Sequence, residues 1–217
     1  LGGRLRVDVP SRIGRKLVLP ALPELMAQHP GLTVDLSSSD RLVDLVADGV
    51  DCALRVGVLE NSELVCRSLG EVSDVTCASP DYLARQGMPM TLHDLKTHYL
   101  VNYATRLPAT SSTLRFQKNG RRHDVEMRSA VTVDGAEAYI AAALSGLGMI
   151  QVPAFDVRDL LETGAFVEVL PEHIPPRAPL SFLFVRRRNL SPKVRVFFRW
   201  LEAILQQNDV VAPKTAD

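Results

Sequence analysis

Apolar and polar residues alternate at the start of the chain: Leu5, Val7 and Val9 fall on one side, Arg4, Arg6 and Asp8 on the other. This period of two predicts a strand, which Pro10 closes. A loop, Ser11-Arg12-Ile13-Gly14, leads into a helical repeat of Leu17, Val18, Leu22, Leu25 and Met26. Pro20 and Pro23 inside that repeat predict either a start near Val18 or distorted early turns. Leu32, Val34 and Leu36 alternate as a second strand, and Leu42, Leu45 and Val46 form the inward stripe of a helix over 41–48. Gly49 is placed as its left-handed C-cap. Cys52 to Val56 then reads as a mostly buried strand ended by Gly57. The order strand, helix, strand, helix, strand predicts an α/β fold with a parallel sheet, whose ligands sit beyond the carboxyl ends of the strands.

The rhythm restarts at Val72 to Ala78, another predicted strand. Ser79-Pro80-Asp81 combines a capping hydroxyl, a proline at the first helical position and an acid in the first turn, and Gly87 ends the short helix. Leu100 to Tyr103 reads as a strand end. Leu114 to Lys118 and Arg121 to Glu126 flank Asn119-Gly120, a strong hairpin signal. Ser129 to Val133 is a strand, and Asp134-Gly135-Ala136-Glu137 is expected to form an Asp-x-x-Glu capping box. The helix after it carries Ala136, Ile140, Ala143, Leu144 and Leu147. Met149 to Val152, Ala165 to Leu170 and Leu180 to Val185 are predicted strands, with a helix over 156–161. Ser191-Pro192 opens a last helix with Val194, Phe197, Phe198, Leu201 and Leu205 on one stripe.

The 25 basic and 25 acidic residues cancel. A DNA-gripping domain carries a basic excess, so this segment is not expected to be the part that holds DNA. No apolar stretch reaches the length of a membrane span, and Leu1 to Leu5 has no basic region followed by an apolar core. The spacing of Cys52, Cys66 and Cys77 matches no zinc or redox motif, and all three are expected to be small buried hydrophobes in a reducing compartment. The five histidines lie in predicted turns or polar stretches without ligand spacing. Neither a metal nor a cofactor is implied. There is no Gly-x-Ser-x-Gly elbow, Walker-type loop or His-Glu-x-x-His, so no enzyme is predicted.

Candidate chemistry lies in loops that leave a strand and enter a helix, where unpaired N–H groups and the helix dipole favour an anion. Three qualify: Pro10-Ser11-Arg12-Ile13, Ser37 to Asp40 and Val133-Asp134-Gly135. Ser11 is the leading contact, against the alternative of a hydroxyl satisfying local backbone. Arg12 reads equally well as the partner of a carboxylate or as a solvated rim residue. Asp40 is assigned to capping the helix at Arg41, leaving Ser38 or Ser39 for the ligand. Asp134 is assigned mainly to its own cap, whereas Gly135 lets a ligand approach the backbone. Asn102, Tyr103 and Thr105 are further candidates, as are Val152 and Pro153, the latter also readable as a strand terminator. The arginines at 186–188 and 121–122 are read as solvated.

Asp48 to Gly57 (DGVDCALRVG), Leu64 to Leu69 (LVCRSL), Ala78 to Leu83 (ASPDYL) and Val133 to Ala138 (VDGAEA) together resemble the effector-binding domain of LysR-type transcriptional regulators. Within that family they resemble the CrgA-like subgroup. The resemblance covers roughly residues 2–205. It implies a type 2 periplasmic-binding-protein fold of two Rossmann-like lobes joined by a two-crossing hinge. On that expectation residues 1–72 are the first part of lobe I, 73–177 lobe II, 178–206 the return to lobe I, and 207–217 a flexible tail. It further implies that a small-molecule effector binds between the lobes, and that Ser11 occupies the position of an effector-binding serine or threonine; the loop dipoles and Arg12 favour a small organic acid as that effector. The implied assembly is a homodimer, or a tetramer of the full-length protein, pairing through the helices near Leu17–Gln28 and Ala136–Ser145. DNA would be read by a separate N-terminal winged helix-turn-helix, with the whole in the cytoplasm. The alternatives are a periplasmic solute-binding protein of a transporter and an enzyme on the same scaffold.

Overall fold

The structure is a computed structural model that describes residues 1–40, 44–58, 64–104, 107–108, 111–118, 120–185 and 191–212. Two compact units are present: Leu1–Val72 with Ala178–Asp217, and Ser73–Arg177. The chain therefore passes from one unit to the other twice.

The first unit is built on a five-stranded sheet in the order β2-β1-β3-β12-β4. The strands are β1 (Gly2–Val9), β2 (Gly31–Ser38), β3 (Cys52–Val56), β4 (Val65–Val72) and β12 (Ala178–Phe184). β1 runs parallel to β2 and β3, whereas β12 is antiparallel to both β3 and β4. The parallel reading from sequence thus holds for the first three strands, and the returning strand makes the sheet mixed. Leu5, Val7 and Val9 are buried on the alternating positions that predicted the strand. Helix α6 (Pro192–Gln207) packs on β1 and buries Val194, Phe197, Leu201 and Leu205, and Ser191 caps it by accepting from Val194 N–H. Leu45, Ala53 and Leu183 form a smaller apolar cluster. Asp8 and Arg55 are also buried, joined as an ion pair, and Arg55 Nη1 donates to the Leu54 carbonyl at 2.6 Å.

The first helical run starts earlier than its apolar repeat predicted. It begins at α1 (Ser11–Ile13), widens into a π-turn over Gly14–Val18, and continues as α2 (Leu19–Gln28). Leu19 N–H reaches back five residues to the Gly14 carbonyl. Pro20 and Pro23 have no N–H to give the preceding turn, which accounts for a distorted early helix rather than a late start. Arg41–Val43 lie outside the described residues. The segment after them is turn rather than helix, with Leu45 buried but Val46 67% exposed, against the inward reading of Val46. Gly49 has the left-handed φ of 64° expected of it, but it ends a turn and not the predicted helix.

The second unit holds the sheet β10-β5-β11, the parallel pair β6-β9 and the hairpin β7-β8. Their ranges are β5 (Asp74–Ala78), β6 (Tyr99–Tyr103), β7 (Thr113–Lys118), β8 (Arg121–Glu126), β9 (Arg128–Val133), β10 (Ile150–Pro153) and β11 (Val167–Glu168). A parallel bridge between Leu100 and Met149 joins β6 to the start of β10. Ser79 caps α3 (Pro80–Gln86) by accepting from Tyr82 N–H. Helices α4 (Ala136–Leu144) and α5 (Ala154–Glu162) complete the unit. Its core contains Val75, Cys77, Val101, Tyr139, Ile140, Ile150 and Phe166.

Several expectations are corrected here. Val72 ends β4, so β5 starts only at Asp74. β11 is two residues long, because Leu170 takes a positive φ of 52° and turns the chain. Cys52 and Cys77 are buried and burial pushes their thiols up, but Cys66 is exposed on β4, an edge strand of its sheet. His98 is no surface histidine: it is buried against Tyr82, whose hydroxyl lies 3.1 Å from its Nδ1, and burial lowers its pKa. Thr105, Asn119 and the arginines at 186–188 lie outside the described residues.

Candidate functional site

In the first unit, β1 ends at Val9, and Pro10, in an extended conformation, is the N-cap of the helical run. Proline has no side-chain acceptor, so the run's first N–H groups need a partner from elsewhere. Asp40 supplies it. Ser11 N–H donates to Asp40 Oδ1 at 3.0 Å, and Ser11 Oγ donates to Asp40 Oδ2 at 2.7 Å. Both carboxylate oxygens are engaged at Ser11, and the cap of a helix at Arg41 expected of Asp40 falls on residues outside those described. The register explains the contact with Ser11, since Val9 and Ser38 are paired ends of parallel strands and Ser39 N–H donates to the Val9 carbonyl at 3.1 Å. The first residue past that ladder is Asp40, directly beside the helix start.

Ser38 Oγ donates to the Ser11 carbonyl at 3.3 Å. Gly14 makes the approach feasible: a Cβ there would lie 2.6 Å from Ser38 Oγ and 3.0 Å from Val9 Cγ2. Arg12 is buried, which overturns its reading as a solvated rim residue. Ile13 is buried in the core. Of the first loop's four candidates, Pro10 and Ser11 are half-buried at the strand-end edge.

In the second unit, the candidates collect along the carboxyl ends of β6, β9 and β10. Tyr103 pairs with Val133, and Ala104 N–H donates to the Val133 carbonyl. Tyr103 is exposed, its ring 5.4 Å from that of Tyr139, whose hydroxyl accepts from Gln151 N–H at 3.0 Å. Asn102 is buried and spends its amide on the Ser111 carbonyl at 3.0 Å. The N-cap position of α4 is Gly135, one residue after the Asp134 that the expected capping box would start from. Asp134 and Gly135 are both half-buried at the edge. Val152 is a core side chain, and Pro153 ends β10 and caps α5.

Asp74 was not foreseen. It pairs with Pro153, so it stands on this same edge as the first residue of β5. Its Oδ1 is enclosed without a hydrogen-bond partner among the described residues. Burial, and then the charge of Asp156 in the first turn of α5, raises its pKa to about 7. A carboxyl opening a strand just after a polar serine was the available signal, obscured by reading the strand from Val72. Among the described residues no group of His, Cys, Asp or Glu is placed to hold a metal ion, and no helix is long and apolar enough to cross a membrane.

Residues 1–206 match the LysR substrate binding domain family. The chain is 37% identical over 215 residues to the uncharacterised HTH-type transcriptional regulator YhjC of Escherichia coli, covering 95% of this chain and 69% of that protein. It is 30% identical to an HTH-type transcriptional repressor of Pseudomonas aeruginosa, covering 95% and 65%. The chain thus spans about two thirds of the length of these relatives. Among solved structures, the regulatory domain of CrgA from Neisseria meningitidis superposes with a TM-score of 0.81 at 24% identity, over 94% of this chain and 98% of that one. Full-length AphB from Vibrio cholerae gives a TM-score of 0.76 at 25% identity, over 94% and 68%. The chain belongs to the LysR family: it is the effector-binding domain of a LysR-type transcriptional regulator, with the two-lobed periplasmic-binding-protein-like α/β fold.

Proposed function

We propose that this domain senses a small organic acid, anchored by its carboxylate at Ser11. One observation carries the reading: the Ser11 N–H and hydroxyl already hold the two oxygens of a carboxylate, that of Asp40. A backbone N–H and a hydroxyl at a helix start suit such an anion in charge and in geometry. Ser38 and Ser39 are proposed as further contacts, since they lie at the same strand-end edge as Ser11. The domain acts by binding, not by catalysis. An effector shifts a conformational equilibrium only by its differential affinity for the two states.

The remaining assignments rest on the family. We propose that the chain works as a homodimer in the cytoplasm and that DNA is read by a separate N-terminal domain of the full protein. Exposed Leu19 on α2 and Leu144 on α4, with exposed Leu147 just past its end, support pairing through these helices. The test is a thermal-shift titration with acetate, benzoate and succinate. A true ligand raises the melting temperature with concentration. The rise should be clearly smaller in Ser11→Ala, which loses the hydroxyl but keeps the N–H, and an unchanged response in that variant would refute the anchor.

A further inference from the structure

We infer that the second unit carries a further ligand site, a groove beside β8 that takes an anion with an apolar body, such as an aromatic carboxylate. The groove has a volume of about 970 Å³ and is lined by residues of two segments, 92–96 and 122–128. It lies at the other end of β6 and β9 from the strand-end candidates. Tyr99 pairs with Arg128 where these strands begin, whereas Tyr103 pairs with Val133 where they finish. The site is therefore independent of the anchor at Ser11.

Two short pieces of chain build the groove. Asp94 opens a single 3₁₀ turn, Asp94–Thr97, and one oxygen of its carboxylate accepts from Met90 and Thr91 N–H at 3.0 and 2.9 Å. This cap fixes the segment that presents Lys96 to the groove. Across from it, β7 holds β8 in register, with Val125 opposite Leu114. Leu92, Val125 and Met127 form an apolar floor: Met127 is buried, and the other two pack against the same core cluster. The rim is charged. Arg122 and Asp124 neutralise one another through two bonds of 2.7 and 2.6 Å. Lys96 and Arg128 against Glu126 then leave one positive charge in excess, to which His93 and His123 add when protonated.

Charges alone would serve to keep an edge strand from pairing with another chain. That role needs no cavity with an apolar floor. An apolar lining with a few charged groups to orient the ligand is the make-up of a small-molecule site. One positive charge in excess suits a single carboxylate, held by a charge-assisted contact while its ring lies on the floor.

The experiment titrates this chain with 2-naphthoate, and with 2-naphthamide as the uncharged probe, following the amide signals of residues 92–96 and 125–128 by NMR. The naphthoate should shift these signals saturably. Loss of the charge-assisted contact predicts about tenfold weaker binding for Lys96→Gln combined with Arg128→Gln, and for naphthamide on the parent chain. The response should be unchanged in Ser11→Ala, where the signals of residues 11–14 report the other anchor separately. Signals of 92–96 and 125–128 that do not move, or that move equally in the double variant or with naphthamide, overturn the site. A response at these signals that is lost with Ser11→Ala overturns it as well.

Discussion

Ser11 gives both of its hydrogen-bond donors to the carboxylate of Asp40, which closes the amino end of a helical run whose own N-cap is a proline. The arrangement is a helix cap supplied from a distance, and the negative charge also suits the helix dipole. Its loss should therefore register as stability as well as affinity. Asp40→Ala removes both bonds and should cost about 1–2 kcal/mol, in the range of a lost cap. Ser11→Ala keeps the backbone bond and should cost less, about 0.5–1 kcal/mol. Urea unfolding of the two variants distinguishes this order from its reverse.

Asp74 should make stability depend on pH near neutrality. Its carboxyl has a folded pKa of about 7, raised by burial and then by Asp156, so the folded state holds this proton more tightly than the unfolded chain does. The stability it contributes is complete below about pH 4 and is lost as pH rises through 7. The span is on the order of 2–4 kcal/mol at most. Asp74→Asn removes this titration. Its melting temperature should gain on the parent protein between pH 6 and 8.5, whereas parallel curves would place the Asp74 proton elsewhere.

Gly148 has no room for a side chain. A Cβ there would lie 2.8 Å from Val101 N and 2.9 Å from Tyr99 O, both backbone atoms of β6. Backbone cannot swing aside as a side-chain tip can, so Gly148→Ala should cost about 2–3 kcal/mol or more. Because β6 carries Asn102 and Tyr103 to the edge, amide exchange should rise first along Tyr99–Tyr103. A variant as stable as the parent would show that the β6–β10 junction relaxes.

Of the three thiols, only that of Cys66 should react in the folded protein, since Cys52 and Cys77 are buried. An aromatic disulfide reagent should titrate one thiol under native conditions and three in urea. Cys66→Ser should abolish the native reaction. Rapid labelling of two thiols before unfolding would contradict the burial of the other pair.

The elements legible in the sequence were those whose side chains reported burial directly. Alternation exposed β1 and β2, the apolar run exposed β3, and the hydroxyls of Ser79 and Ser191 marked two helix starts that both accept the bonds foreseen. β4 was legible only as a strand-like setting for Cys66, without bounds, because Cys66, Arg67 and Ser68 are exposed at the sheet's edge and break the buried pattern. At the candidate site, sequence identified the loop at Ser11 but not its partner. Asp40 looked like a local cap, since nothing in the chain order reveals that the ends of β1 and β2 meet. Buried charge was equally opaque: Arg12, Asp8 and Arg55 have the composition of surface residues and are interior ones.

The Asp8–Arg55 pair carries the largest single-residue effect expected in the first unit. Asp8 is wholly buried on β1, and its Oδ1 has no partner among the described residues, so its attraction to Arg55 is its chief compensation for lost hydration. Removing one member leaves the other charge buried and unpaired, a change that typically costs 3–5 kcal/mol. Asp8→Ala and Arg55→Leu should each unfold at much lower urea. Replacing both, as Asp8→Val with Arg55→Leu, removes the two desolvated charges together and should recover most of the loss. A double-mutant cycle on urea midpoints reads the coupling directly. Simple addition of the two single losses would show that the pair is solvated and does not act as a unit.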